Sequence, residues 1–146
     1  MFTHLHVASG FSFKYGTTQP EALVERAAEL GMKSLALTDR SFAGAIRFAQ
    51  SCQEFSIAPI LGIDLAFENI KTSEKNKTYE KKKYRATILA PSGKWSALLR
   101  LTTALQMTST SDTPIITREF LQTFATYSQE LLLFHWRLLK TADSCH

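Results

Sequence analysis

The sequence predicts an α/β fold in which parallel strands are covered by outer helices. Apolar runs that suit strands alternate with amphipathic segments that suit helices, in the order β-α-β-α-β up to residue 67. The connections are short, and the third strand, 58–67, is apolar almost throughout, as a strand buried on both faces would be. This alternation is typical of a βα-barrel or an open α/β sheet.

The first predicted strand carries two histidines, His4 and His6, and leads into a loop at 8–18 that contains Gly and Ser. Residues two apart in a strand share a face, so both imidazoles would point at one spot. Imidazole binds zinc, iron or manganese, and the pair would be half of a metal site if carboxylates came from elsewhere. The alternative is a pair of surface or half-buried histidines with no ligand role.

Two helices flank the second predicted strand, 33–38. The first helix is predicted to begin near Thr18, because Thr18 and Glu21 have capping-box spacing, and to end at Gly31. The second helix is predicted over 42–54, and the residues that we expect on its inward face are Phe42, Ala45, Ile46 and Ala49.

A lysine-rich insertion at 69–83 interrupts the pattern. The stretch from Lys71 to Arg85 has a local charge of +5, so the rest of the chain sums to −1 although the net charge is +4. We favour a solvated excursion, because one aromatic residue, Tyr79, is available for bases to stack on. The alternative is a nucleic-acid-binding module at Lys71–Lys83, with phosphate contacts from Lys81, Lys82 and Lys83.

The pattern resumes after the insertion with a strand at 84–90 and a helix that begins at Ser92 or Gly93. A Ser/Thr-rich linker is predicted at 108–114, a short helix at 117–124 and a fifth strand at 131–134. The residues that we expect on the inner side of the helix after Gly93 are Trp95, Leu98, Leu99, Thr102 and Leu105.

The composition is ordinary for a soluble globular domain, with 45% hydrophobic and 21% charged residues in 146. No apolar stretch is long enough to span a membrane and the N-terminus lacks a signal-peptide pattern, so we expect a cytoplasmic protein. Cys52 and Cys145 are not in a zinc-ligand spacing, and Cys52 is expected to be a small buried residue.

Three segments in succession resemble a known family: THLHVASGFSFKYG, LVERAAELGMKSLALTDR and FAGAIRFAQSCQEFSIAPILGIDL. They are similar to the N-terminal PHP (polymerase and histidinol phosphatase) domain of bacterial DNA polymerase III alpha subunits, and most similar to the error-prone type. The resemblance covers about Phe2 to Leu105. It implies a partial, truncated form of a distorted βα-barrel at 1–134, and an atypical tail at 135–146 that suggests truncation or a frameshift.

The resemblance also implies a site. In metal-binding members of the family, His, Asp and Glu side chains at the C-terminal strand ends hold metals that support phosphoester hydrolysis or proofreading. The matching positions here are His4, His6 and Asp64, which would suit one zinc or manganese ion. Three further ligand positions of the family are occupied by Tyr15, Arg40 and Arg85.

The two arginines favour a metal-free cleft. A guanidinium does not lose its proton, so it cannot bind a metal, and it repels a nearby cation. An arginine in this cleft could instead form an ion pair with Asp39 or Asp64. For Asp39, which follows the second strand, the alternative is a helix N-cap or turn residue.

The resemblance implies that this is the N-terminal segment of a DNA polymerase III alpha subunit, involved in replication or damage-tolerant synthesis and mainly structural here. The segment contains no polymerase palm, so we expect no polymerase activity from it alone. Expected partners are the remainder of the alpha subunit, a replisome accessory or proofreading subunit, and DNA through the parent protein. The alternatives are a free-standing metal-dependent phosphoesterase and the nucleic-acid-binding module.

Overall fold

The computed structural model describes residues 2–73, 78–108, 115–117 and 132–138, and it confirms the α/β class. These ranges contain both helices and strands. They are α1 (Pro20–Glu29), β1 (Ser34–Leu37), α2 (Ala45–Glu54), β2 (Ala58–Ser73), β3 (Thr78–Leu89), α3 (Trp95–Thr108), β4 (Ile115–Thr117) and β5 (Leu132–Leu138).

The strands form a mixed sheet in the order β1-β2-β3-β5, and β4 pairs with β2 beyond the end of β1. β1 runs parallel to β2, as predicted, and so does β4, a strand that was not predicted. β3 runs antiparallel to β2, and β5 antiparallel to β3. The β2–β3 pair departs from the all-parallel prediction because a short connection, 74–77, replaces a helical crossover between these strands.

The lysine-rich insertion, predicted to be a solvated excursion, is built from two strands. β2 continues to Ser73 and β3 begins at Thr78, so the insertion is a long two-stranded ribbon apart from its tip, which lies outside the described residues. The register places Glu68 opposite Lys83 and Lys71 opposite Glu80. Opposite charges at facing positions favour strand pairing, and this long-range match is not visible in the lysine content alone.

The first predicted strand is only loosely attached to the sheet. Residues 2–8 lie beside β1, joined to it by the amide of Ala36 donating to the His4 carbonyl (3.0 Å) and that of Thr38 to the Val7 carbonyl (2.8 Å). They do not form a regular strand, because two backbone hydrogen bonds are too few for a ladder. The alternation of exposed and half-buried residues expected of a strand is nevertheless present.

The boundaries of α1 differ from the prediction at one end. Gln19 is the N-cap residue and no side chain caps the helix, so the predicted capping box of Thr18 and Glu21 is wrong. Pro20 at the first helical position supplies the right backbone angle without a cap. Gly31 has a φ of +68°, as a residue that ends a helix commonly does, so the predicted stop is confirmed.

Helix α2 begins at Ala45, later than predicted, and its buried residues are Phe48, Ser51 and Cys52. Ile46 was expected to face inward but is 73% exposed. The helix turns its largest aromatic side chain, Phe48, into the core, and that orientation carries Ile46 to the opposite side. The buried position predicted for Cys52 is confirmed, and burial raises the pKa of its thiol to about 11.

The inner side of helix α3 differs from the predicted one at two residues, Trp95 and Leu101. Leu98 and Leu105 are buried, but Trp95 is 52% exposed, and Leu101 is fully buried although it was not predicted to be. No helix within the described ranges is both long and apolar enough to cross a membrane.

The C-terminal predictions are only partly covered. Thr117 ends β4, while the rest of the predicted helix at 117–124 lies outside the described residues, as do 109–114 of the linker. The predicted fifth strand corresponds to β5, which continues to Leu138. The division of the chain at 134 stays a prediction.

Two apolar clusters cover opposite parts of the sheet. One lies between α1, α2 and β1; its buried members are Val24, Ala27, Leu35, Leu37, Phe48, Cys52 and Ile57. The other packs one face of β2 and β3 against α3; its buried members are Ile63, Leu65, Ala86, Ile88, Ala90, Leu98, Leu101 and Leu105. Because side chains alternate along a strand, the other face of β2 and β3 carries Asp64 and Arg85.

Phe48→Ala should lower the free energy of unfolding by about 3–5 kcal/mol, because it removes a fully buried aromatic ring from the core. Ile46→Ala is the matched control on the same helix and should change it by no more than about 0.5 kcal/mol. Urea unfolding followed by circular dichroism measures both. Equal losses in the two variants would show that α2 does not present Phe48 to the core.

Candidate functional site

The site begins with Asp39, a carboxylate only 2% exposed that follows the end of β1. One oxygen, Oδ1, accepts hydrogen bonds from the Ser9 amide (2.7 Å) and from Ser12 Oγ (2.6 Å). The other, Oδ2, accepts one from Ser9 Oγ (2.5 Å). Donors at these distances compensate the loss of hydration of a buried carboxylate. Asp39 is therefore not a helix N-cap, a position that Gly44 holds in α2, and its role as a cleft residue stays a prediction.

The loop that Asp39 binds, residues 9–16, is closed by its own backbone. The Arg40 amide donates to Ser12 Oγ (3.1 Å), so Ser12 joins the loop to both Asp39 and Arg40. The Gly16 amide donates to the Ser12 carbonyl (3.0 Å). A Cβ at Gly16 would lie 2.0 Å from the Ser9 carbonyl oxygen, so only glycine allows the two sides of the loop to approach this closely.

Asp64 and Arg85 form an ion pair across β2 and β3. Arg85 Nη2 lies 2.6 Å from Asp64 Oδ2, and Arg85 Nε lies 2.9 Å and 3.1 Å from the two carboxylate oxygens. Arg85 Nη2 also donates to the Asp64 carbonyl oxygen (3.2 Å). Both side chains are about nine-tenths covered, at 13% and 12% exposed. The guanidinium thus engages both oxygens of the carboxylate in a partly dry cleft.

Both arginines of the cleft lie close to the Tyr15 ring. The Arg40 guanidinium carbon is 3.6 Å from the centre of the Tyr15 ring, and that of Arg85 is 5.3 Å from it. Both distances are within reach of a cation–π interaction. Tyr15, Asp39, Arg40 and Arg85, the residues predicted to line the cleft, are brought together through Tyr15 and the Ser12 hydrogen bonds.

The two histidines make separate contacts. His6 Nδ1 lies 2.8 Å from Thr87 Oγ1, and Thr87 faces Asp64 in the sheet register, so His6 is next to the Asp64–Arg85 pair. His4 instead packs edge to face against Phe2, with 4.7 Å between ring centres. Across the described ranges, no three His, Cys, Asp or Glu side chains are grouped closely enough to hold a metal ion.

The donor chemistry of the cleft does not suit a divalent cation. Arg85 binds both carboxylate oxygens of Asp64, and three donors from the loop occupy those of Asp39. A metal would have to displace these partners and would meet the positive charge of Arg40 and Arg85. The set His4, His6 and Asp64 stays a prediction.

Comparison with known sequences shows the class of the protein. The sequence model of the PHP domain family matches residues 4–139, so the chain belongs to the PHP domain family. The predicted resemblance to this family, as it occurs in DNA polymerase III alpha subunits and error-prone polymerases, is confirmed.

The curated relatives are far longer than this chain. Error-prone DNA polymerase of Nocardia farcinica is 44% identical over 66 residues, and that of Symbiobacterium thermophilum 47% over 68. DNA polymerase III subunit alpha of Buchnera aphidicola is 39% identical over 67 residues. The matches cover 44–46% of this chain and 6% of each relative.

The fold superimposes on part of a solved structure. A "putative metal-dependent phosphoesterase" from Bifidobacterium adolescentis superimposes with a TM-score of 0.44 and 23% sequence identity. The superposition covers 72% of this chain and 34% of the other.

Sequence reasoning missed Ser9, Ser12 and Thr87. These residues make the hydrogen bonds that position Asp39 and His6. The signal for the serines was their place in a Gly-containing loop just after the HxH segment, where short hydroxyl side chains commonly satisfy a nearby carboxylate. For Thr87 there was no local signal, because its role depends on the pairing of β2 with β3.

Arg85→Met should lower the free energy of unfolding by about 3 kcal/mol, because it leaves the Asp64 carboxylate covered without its counter-charge. Arg26→Met removes a guanidinium from an ion pair with Glu29 that is 67% and 55% exposed. That control should cost less than about 1 kcal/mol. Urea midpoints of both variants test this, and a loss at Arg85 no larger than at Arg26 would contradict the geometry of the cleft.

Proposed function

We propose that this chain is the N-terminal PHP segment of a DNA polymerase of the DNA polymerase III alpha or error-prone type, with a mainly structural role. Family membership and the named relatives support the polymerase context. The observation that supports a structural role is the Asp64–Arg85 ion pair, which fills the cleft with the protein's own charges. A cytoplasmic location and a part in replication or damage-tolerant synthesis belong to the same proposal.

The Asp64–Arg85 ion pair supplies the positive charge that a metal ion would otherwise bring to the cleft. A divalent cation in a carboxylate-lined cleft neutralises the carboxylates and holds strand ends together. Here the Arg85 guanidinium neutralises Asp64 and also binds its backbone carbonyl, which ties β3 to β2. The cleft therefore stabilises the fold without providing an activated water molecule.

The proposed partners follow from the polymerase context. The remainder of the alpha subunit would pack against this segment and carry the nucleotidyl-transfer site. A replisome accessory or proofreading subunit is a further proposed partner, and DNA would be held by the parent protein. The matches cover 6% of each relative, so most of the length of such a polymerase is available for these functions.

The metal content of the chain tests the structural role. The chain is produced in medium with added zinc and manganese, and bound metal is measured by mass spectrometry together with hydrolysis of bis(p-nitrophenyl) phosphate. We expect far less than one metal ion per chain and no hydrolysis that EDTA removes, because Arg85 occupies the carboxylate of Asp64.

The same measurement on His6→Ala and Asp64→Asn provides the control. Both variants should match the parent chain in metal content and in hydrolysis. One metal ion per chain that is lost in either variant, together with EDTA-sensitive hydrolysis, would contradict the proposal and support the free-standing phosphoesterase instead.

A further inference from the structure

A small cavity lies between helix α3, strand β2 and the segment that follows Asp39. Its volume is about 160 Å³. Its apolar walls come from all three parts of the structure and are Phe42, Ile63, Leu65, Leu99 and Leu105. Ile63 and Leu65 belong to the face of β2 that packs on α3, so these walls lie on the other side of the sheet from the Asp64–Arg85 pair.

The size and the walls of the cavity suit one six-membered ring. An apolar cavity of about 150 Å³ in a protein core is large enough to hold a benzene molecule. Ile63, Leu65 and Leu105 are almost fully buried, so the cavity ends on packed core residues. Thr103 and Gln106 also line it and are exposed, so a ligand can enter from solvent. The cavity therefore has room for one ring and not for two.

Arg40 supplies the charge at the cavity. Among the described residues that line the cavity, none is acidic and no other is basic. Arg40 Nε is buried and has no hydrogen-bond acceptor in the described part of the chain. A buried donor without an acceptor costs free energy that an incoming oxygen atom would recover. The cavity thus combines apolar walls with one unsatisfied cationic donor.

The Arg40 guanidinium is held in place before any ligand binds. The Arg40 amide donates to Ser12 Oγ (3.1 Å), and the guanidinium carbon lies 3.6 Å from the centre of the Tyr15 ring. Stacking engages the flat face of a guanidinium, whereas its N–H groups lie along the edge, where they match the two oxygens of a carboxylate. Little side-chain freedom is therefore lost when a carboxylate binds to Arg40.

We propose that this cavity is a binding site for a small aromatic carboxylate, of which benzoate is the simplest. The ring occupies the apolar space between Phe42, Leu65 and Leu99, and the carboxylate accepts hydrogen bonds from Arg40. A monoanion is the ligand because the cavity supplies one positive charge. The inference goes beyond the structural role of the segment, since it uses neither a metal nor the Asp64–Arg85 pair.

Titration with benzoate tests the site. Binding of sodium benzoate to the full chain is followed by NMR of the backbone amides in EDTA. The amides of Leu65 and Leu99 should shift and saturate with a Kd on the order of 1 mM, while the Val24 amide in α1 should not move. Acetate lacks the ring and benzyl alcohol lacks the charge, so each should bind at least about tenfold more weakly.

The charge is tested with Arg40→Met, which keeps an apolar side chain and removes the guanidinium. Benzoate should bind about tenfold more weakly to this variant, whereas the weak binding of benzyl alcohol should not change. Arg40→Lys keeps the charge without the planar fork and should lose less affinity than Arg40→Met. Arg47→Met is the control, because Arg47 also lies over an aromatic ring, Phe11 (5.9 Å), but does not line the cavity.

The apolar space is tested with Leu99→Phe, whose larger side chain occupies part of the cavity. Benzoate and benzyl alcohol should both bind about tenfold more weakly, because both need room for a ring. Leu30→Phe is the matched control, since Leu30 is 57% exposed and does not line the cavity. Far-UV circular dichroism and the urea midpoint show that each variant is folded.

Three results would overturn the inference. They are the absence of saturable shifts with benzoate, binding of acetate or benzyl alcohol as tight as that of benzoate, and a benzoate affinity that survives both Arg40 substitutions. Because EDTA is present throughout, none of these results depends on metal, so they are separate from the test of the structural role.

Discussion

The hydrogen bonds that Asp39 accepts from Ser9 and Ser12 determine how the cleft is built. They hold loop 9–16 against the end of β1, and the Asp39 carbonyl accepts the Asp64 amide (3.2 Å), which fixes β2 at the same point. The stack of Tyr15 on Arg40 depends on this arrangement, because Tyr15 belongs to the loop and Arg40 follows Asp39 in the chain. Asp39 thus joins three parts of the chain, loop 9–16 through its carboxylate and β2 through its backbone carbonyl.

The two acidic residues of the cleft are stabilised in different ways. Asp39 receives neutral donors in the interior, whereas Asp64 receives the full charge of Arg85 nearer to solvent. Removing a partner from either would leave a poorly hydrated charge. The same arrangement leaves Arg40 stacked on Tyr15, without a carboxylate partner in the described structure.

Local pattern was sufficient to predict β1 and the Gly31 helix end, because each depends on spacing or on residue type. The cleft residues were named from the resemblance to the PHP family, which left open whether an arginine would pair with Asp39 or with Asp64; the structure pairs Arg85 with Asp64. The ribbon was missed because its stability comes from cross-strand register, as at Lys71 and Glu80. The exposure of Ile46 was missed because packing of Phe48 decides how α2 is rotated.

Hydrogen exchange at the loop tests most directly whether Asp39 organises the cleft. The amides of Ser9 and Arg40, which bond to Asp39 Oδ1 and Ser12 Oγ, are followed by NMR in the parent chain and in Asp39→Asn. We predict protection of both amides in the parent chain and its loss in the variant, while the Val24 amide in α1 keeps its protection. Free exchange of the Ser9 and Arg40 amides in the parent chain, or protection that survives the substitution, would contradict the account.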